Sequence, residues 1–191
     1  MFDIGEGDCL VVVDVQNDFC PGGALGVAEG DQVVPVLNAW IREFHKKGLP
    51  VIYTQDWHPQ DHCSFTGNGG IWPPHCVQGT KGADFHPDLV VQGEICRKGF
   101  VTDAEAYSGF DGRVGGLDGP TLGTWLKQRA VARIFVGGLA TDYCVKATVL
   151  DGIGNGLEVA VLRDGIRAVN VNEGDGEKAI AEMAGAGAII R

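Results

Sequence analysis

Residues 56–65 read DWHPQDHCSF, with two aspartates, two histidines and a cysteine in ten residues. Asp56 and His58 are two apart, so in an extended chain both point to one side. His62 follows after Pro59 has turned the chain, and His75 comes later, in WPPHC (72–76), where two prolines stiffen the backbone. One carboxylate and three imidazoles form a donor set that suits zinc, iron or manganese. The spacing is not HExxH, which excludes a helical zinc-protease site. The structural alternative is a polar surface loop with solvated histidines. Three of the five histidines of the chain fall in this stretch, which favours the metal. Adjacent residues rarely both face one ion, so Cys63 and Cys76 are read as packing residues and Asp61 as a loop residue.

A second constellation is spread over the chain. GGLATDYCVKAT (137–148) puts Cys144 where an apolar run turns into a helical pattern. Backbone N–H groups at a helix start stabilise anions, lower a thiol pKa and can serve as an oxyanion hole. Taken alone, a cysteine there is more often a small core residue. VVVDVQ places Asp14 inside an apolar run, where a carboxylate is costly unless paired. Lys98, at the end of EICRK, supplies a partner. The pair alone can be structural. With a nearby thiol it becomes a proton-transfer unit: carboxylate as base, ammonium holding and polarising, thiolate attacking.

These residues share an edge only if the elements carrying them alternate correctly. CLVVVDVQ (9–16), PVIYTQ (50–55), EICRK (94–98), RIFVGGLA (133–140), EVAVLRDGI (158–166) and AIIR (188–191) read as strands. Helical patterns cover 31–47, with Asp31 as N-cap and Gly48 as stop, then 121–129, 141–156 and part of 172–187. Residues 56–93 form a long irregular stretch, and loops of that length are usually functional. The alternation predicts an α/β domain, a Rossmann-like three-layer α/β/α architecture with a mainly parallel sheet. Ligands of such sheets bind outside the carboxyl ends of the strands. Asp14, Asp56, Lys98 and Cys144 all fall at that edge.

The bulk numbers narrow the classes. At 191 residues the chain fits one domain over 1–191. A net charge of −10 repels phosphate backbones and excludes nucleic acid as the expected partner. No window reaches a membrane span, and the acidic N-terminus lacks a secretory n-region, so the expected location is the cytoplasm. The six cysteines are then read as free thiols.

Several stretches together resemble the nicotinamidase/pyrazinamidase family within the isochorismatase-like cysteine hydrolases. They are VVVDVQNDFCPGGALGV (11–27), DWHPQDHCSF (56–65), WPPHCVQGTKGADFHP (72–87), RKG (97–99), AYSGF (106–110) and GLATDYCVKATVLD (138–151). The resemblance implies a six-stranded sheet. It implies a triad of Asp14, Lys98 and Cys144, and one divalent metal on Asp56, His58, His62 and His75, completed by water. No organic cofactor is implied. The oxyanion hole would be the N–H groups of Ala140 and Cys144, with a cis peptide before Ala140. Phe19, Leu25, Trp72 and Tyr107 would line the pocket, and Tyr143, at a position that varies in the family, would tune it. The spacing from His58 to His62 is shorter than in some members.

The implied activity is hydrolysis of nicotinamide, or a related aromatic amide such as pyrazinamide, to the acid and ammonia through a cysteine thioester. A small-molecule amide is then the partner, with a homo-oligomer compatible with the chain. Rival readings are a carbamoyl or ureido amidase, or an isochorismatase-type hydrolase, relatives that generally lack the histidine-rich loop. A metal that activates water beside a structural Cys144, and a zinc-binding or redox-sensing module, are further alternatives.

Overall fold

The computed structural model describes residues 3–191. Strands β1 (Asp8–Val13), β2 (Val51–Asp56), β3 (Glu94–Lys98), β4 (Arg113–Val114), β5 (Arg133–Leu139), β6 (Glu158–Arg167) and β7 (Ile189–Ile190) form a seven-stranded sheet in the order β4-β3-β2-β1-β5-β6-β7. All pairings are parallel except β3 with β4. The expected six strands are thus joined by one more, β4, whose two residues carry no apolar run to announce it.

Every residue of β1 is buried, as its unbroken apolar run requires of a central parallel strand. Its side chains alternate between two cores. Leu10 and Val12 meet Leu37, Ile41 and Phe44 of helix α1 (Val33–Lys46), whose apolar residues recur at helical spacing. Cys9, Val11 and Val13 share the opposite core with Leu122 and Trp125 of α2 (Leu122–Gln128), Val149 of α3 (Lys146–Gly154) and Met183 of α4 (Asp175–Gly185). Helices on both faces make three layers.

Two helix boundaries refine the sequence reading. Asp31 does not cap α1; it lies in a short 3-10 turn (Gly30–Gln32), and no side chain caps the helix. Gly48 does end it, with a left-handed φ of 67° and its N–H on His45 O at 3.0 Å. The long 57–93 stretch stays irregular but is tied down by isolated bridges, Gln16 to Phe85, His58 to Val77 and Phe65 to Trp72. All six cysteines are free thiols. No helix among the described residues is long and apolar enough to cross a membrane.

Chain order reverses at β1: β2 lies on one side of it and β5 on the other. A doubly wound sheet opens its crevice at such a switch point, beyond the strand ends. Asp14 follows β1, Asp56 and Lys98 end β2 and β3, and Ala140 follows β5.

Candidate active site

Lys98 organises the site. Its side chain is fully buried, with Nζ 2.9 Å from Asp14 Oδ2 and 3.4 Å from Cys144 Sγ. The ammonium also donates to Asp56 Oδ1 and to Ala106 O. One oxygen or sulfur atom from each of Asp14, Asp56 and Cys144 lies within 4.8 Å of the others. Sequence reasoning placed Lys98 with Asp14; its simultaneous hold on Asp56 is what the fold adds.

The Cys144 segment is not the plain helix expected over 141–156. Leu139–Ala140 is a cis peptide, and Thr141–Val145 forms a π-helical turn before α3 begins. The N–H groups of Tyr143 and Val145 both reach Ala140 O at 3.1 Å. Local π-turns are rare and recur at functional sites. This one sets Ala140 and Cys144 against the same cleft.

Burial is the largest influence on each charged group. It pushes the Cys144 thiol well above its ordinary range, against the lowering pull of Lys98. It raises the Asp14 carboxyl too, opposed by Lys98. For Asp56 burial works upward, but Lys98 and then His58 outweigh it and hold the carboxyl well below the usual range. Burial would lower Lys98; Asp14 and Asp56 reverse that and raise it well above its ordinary value. The resting site therefore holds a neutral thiol, an ammonium, an ionised Asp56 and an Asp14 made more basic than usual. A base of raised pKa is a better acceptor for the thiol proton.

Three of the four expected metal ligands come together. Side-chain donor atoms of Asp56, His58 and His75 all lie within 4.8 Å of one another. His58 Nδ1 lies 2.9 Å from Gly99 O, and His75 Nδ1 2.8 Å from Pro73 O. A ring nitrogen facing a carbonyl carries the proton, so each Nε2 keeps its lone pair for an ion. Burial holds the His75 ring below its ordinary pKa, which keeps it neutral as a ligand must be. Two carboxylates around one ammonium leave a negative balance that a cation offsets. The donor set fits a divalent metal on these observations.

His62 departs from the expectation. It is fully buried but stands outside that donor cluster. Its Nδ1 lies 2.7 Å from Ser64 Oγ and its Nε2 3.0 Å from Ala104 O, so both nitrogens are engaged. Its ring lies 4.2 Å from that of His58, tilted by 36°. A histidine count cannot separate a ligand from a histidine bonded elsewhere.

Cys144 and the Asp56, His58 and His75 cluster open on one cleft, with about 470 Å³ of empty space out to its mouth, while Asp14 and Lys98 lie buried behind it. Phe19, Leu25, Trp72, Tyr107 and Tyr143, all expected in the pocket, line it. Trp72 Nε1 donates to Tyr107 OH at 3.0 Å, and the Trp72 ring meets Tyr143 edge-on at 5.0 Å. Ser64, Glu105, Ala106 and Val169 also line it and were not foreseen. Small and common residue types carry no chemical signal in a sequence.

The isochorismatase domain family model matches residues 8–191. The chain is 41% identical over 198 residues to a nicotinamidase of Escherichia coli, covering 95% of this chain and 92% of that one. It is 44% identical over 163 residues to a nicotinamidase/pyrazinamidase of Mycobacterium tuberculosis, covering 81% and 83%. Its fold superposes with a TM-score of 0.87 on a pyrazinamidase of Pyrococcus horikoshii solved with zinc, at 45% identity over 97% of this chain and 98% of that one.

Proposed function

The chain belongs to the isochorismatase domain family, and within it we propose a metal-dependent nicotinamidase, one hydrolase domain over 1–191 working in the cytoplasm. It converts nicotinamide and related aromatic amides such as pyrazinamide to the acid and ammonia. The observation that carries this reading is the junction behind the cleft: Lys98 joins Asp14, Asp56 and Cys144, and Cys144 shares the cleft wall with Asp56, His58 and His75.

Asp56, His58 and His75 would hold a divalent metal, which would supply a Lewis-acid anchor for the substrate ring. The flat ring lies among Phe19, Trp72 and Tyr107, which exclude water from it. Asp14 takes the proton of Cys144, and the thiolate attacks the carboxamide carbon. The N–H groups of Ala140 and Cys144 receive the negative charge that develops on the carbonyl oxygen. Asp14 returns the proton to the amide nitrogen as the C–N bond breaks, and ammonia leaves. A water then gives Asp14 a proton and attacks the thioester; the acid departs and Cys144 regains its hydrogen. Throughout, Lys98 keeps both carboxylates in place and offsets their charge.

The test is ammonia release by metal-analysed protein. Nicotinamide should be hydrolysed, the activity should disappear on chelation, and added zinc, iron or manganese should restore it. Turnover of an N-carbamoyl compound in preference to nicotinamide would overturn the reading.

A further inference from the structure

Two side chains outside the catalytic and metal sets are exchanged between the central strands. Thr54, in β2, is fully buried and donates from Oγ1 to Asp14 Oδ1 at 2.6 Å. Gln16, just past β1, is fully buried too and donates from Nε2 to Asp56 O at 2.9 Å. Its Oε1 accepts from the Asp56 N–H at 2.8 Å. Each strand thus fixes the carboxylate residue that ends the other. We propose that Thr54 and Gln16 are a reciprocal pair of positioning residues with separate tasks: Thr54 aims the base, and Gln16 sets the backbone of the metal-binding aspartate.

The geometry gives the reason for the division. Asp14 leaves β1 in a left-handed conformation, φ 47°, which only a short polar side chain tolerates without much strain. The carboxylate could still turn about its own bonds. With Oδ1 held by Thr54, Oδ2 is the oxygen left facing Lys98, 2.9 Å from Nζ. That is the oxygen available for the thiol proton. Asp56 has a different need. β1 pairs with β2 only as far as Val12 opposite Tyr53, so the β1 ladder no longer serves Asp56. The primary amide of Gln16 bonds the N–H and C=O of Asp56 as a neighbouring strand would. Its Nε2 also reaches Ala83 O at 2.9 Å, anchoring the clamp in the long loop.

The inference rests on the nicotinamidase reading, and its experiment separates the two. Three quantities are measured on full-length protein: zinc affinity by chelator competition, the rate at which iodoacetamide alkylates Cys144, and kcat with nicotinamide at saturating zinc. Thr54→Val should slow alkylation and lower kcat by about tenfold or more, since a well-placed general base contributes roughly 10²–10⁴-fold. Its zinc affinity should stay within threefold of wild type, and Thr54→Ser should restore the rates. Gln16→Met should weaken zinc about 10–100-fold, as loss of outer-shell support does, with alkylation nearly unchanged. If Gln16→Met does not fold, Gln16→Glu keeps the acceptor for the Asp56 N–H and carries the same readout. Equal losses of zinc affinity and alkylation rate in both variants would overturn the division. Wild-type protein that never releases ammonia would overturn the activity reading; zinc affinity and alkylation would still decide the positioning roles.

Discussion

Substitution of Gly99 by alanine should empty the metal site while leaving the fold nearly intact. Gly99 has a left-handed φ of 65°, and its carbonyl oxygen holds His58 Nδ1. A Cβ built there would stand 2.4 Å from His58 Cε1 and 2.6 Å from Nδ1. Carbon contacts settle at about 3.5–4.0 Å, so the imidazole must retreat by roughly 1 Å. Zinc–nitrogen bonds of about 2.0–2.1 Å tolerate changes of only ~0.2 Å. His58 then leaves the ion or drags it from Asp56 and His75. Losing only outer-shell support costs about 10–100-fold in affinity, so displacing a ligand should cost at least ~100-fold, near 2.7 kcal/mol. The backbone adds about 1–2 kcal/mol of left-handed strain. Gly115→Ala separates the two effects. Its φ is 76°, and the nearest atom to a new Cβ is Glu94 Oε2 at 3.7 Å. Both variants should lose several degrees of Tm in metal-free protein, at roughly 2–4 °C per kcal/mol, but only Gly99→Ala should lose zinc in chelator competition. Wild-type zinc affinity in Gly99→Ala would refute the argument that this contact fixes the ligand.

Lys98→Met should leave Asp14 and Asp56 buried without compensation and destabilise the protein by about 3–5 kcal/mol in urea unfolding; a loss under 1 kcal/mol would contradict the pairing. Tyr107→Phe removes the acceptor for Trp72 Nε1 and should raise KM about fivefold, the value of ~1 kcal/mol, with kcat within threefold; an unchanged KM would remove Trp72 from substrate binding. Zinc affinity should be flat from pH 8 down to about 6.5 and decline only below it. Protonation is what competes with the ion, and burial holds the His75 pKa below its ordinary value, so the decline starts on the acid side of that value. An affinity that already falls between pH 8 and 7 would contradict the buried neutral ligand.

Much of the site was legible because its chemistry sits at strand ends. An aspartate in VVVDVQ, a lysine closing EICRK and a cysteine after RIFVGGLA are each ambiguous, but the crevice rule for parallel sheets puts them together. The structure places Lys98 between Asp14 and Cys144 accordingly. What stayed hidden depends on contacts between residues far apart in sequence. Thr54 and Gln16 each act across a separation of 40 residues, and nothing in TQD or DVQ marks a hydrogen bond. Sequence alone does not separate His62 from His58 and His75; the structure does, by giving both ring nitrogens of His62 a protein partner while His58 and His75 each hold a carbonyl at Nδ1. Strand β4 escaped because two residues cannot show a period. The π-turn at Thr141–Val145 follows the same apolar and polar spacing as a helix start, so its extra residue per turn is invisible until the carbonyl partners are known.

The central claim is that Cys144 attacks while the metal cluster only holds the substrate. The most direct test is ammonia release from nicotinamide by Cys144→Ala, with zinc content measured on the same sample. No detectable ammonia and a full complement of zinc are expected. Substantial turnover by that variant would contradict the claim and move the chemistry to a metal-activated water.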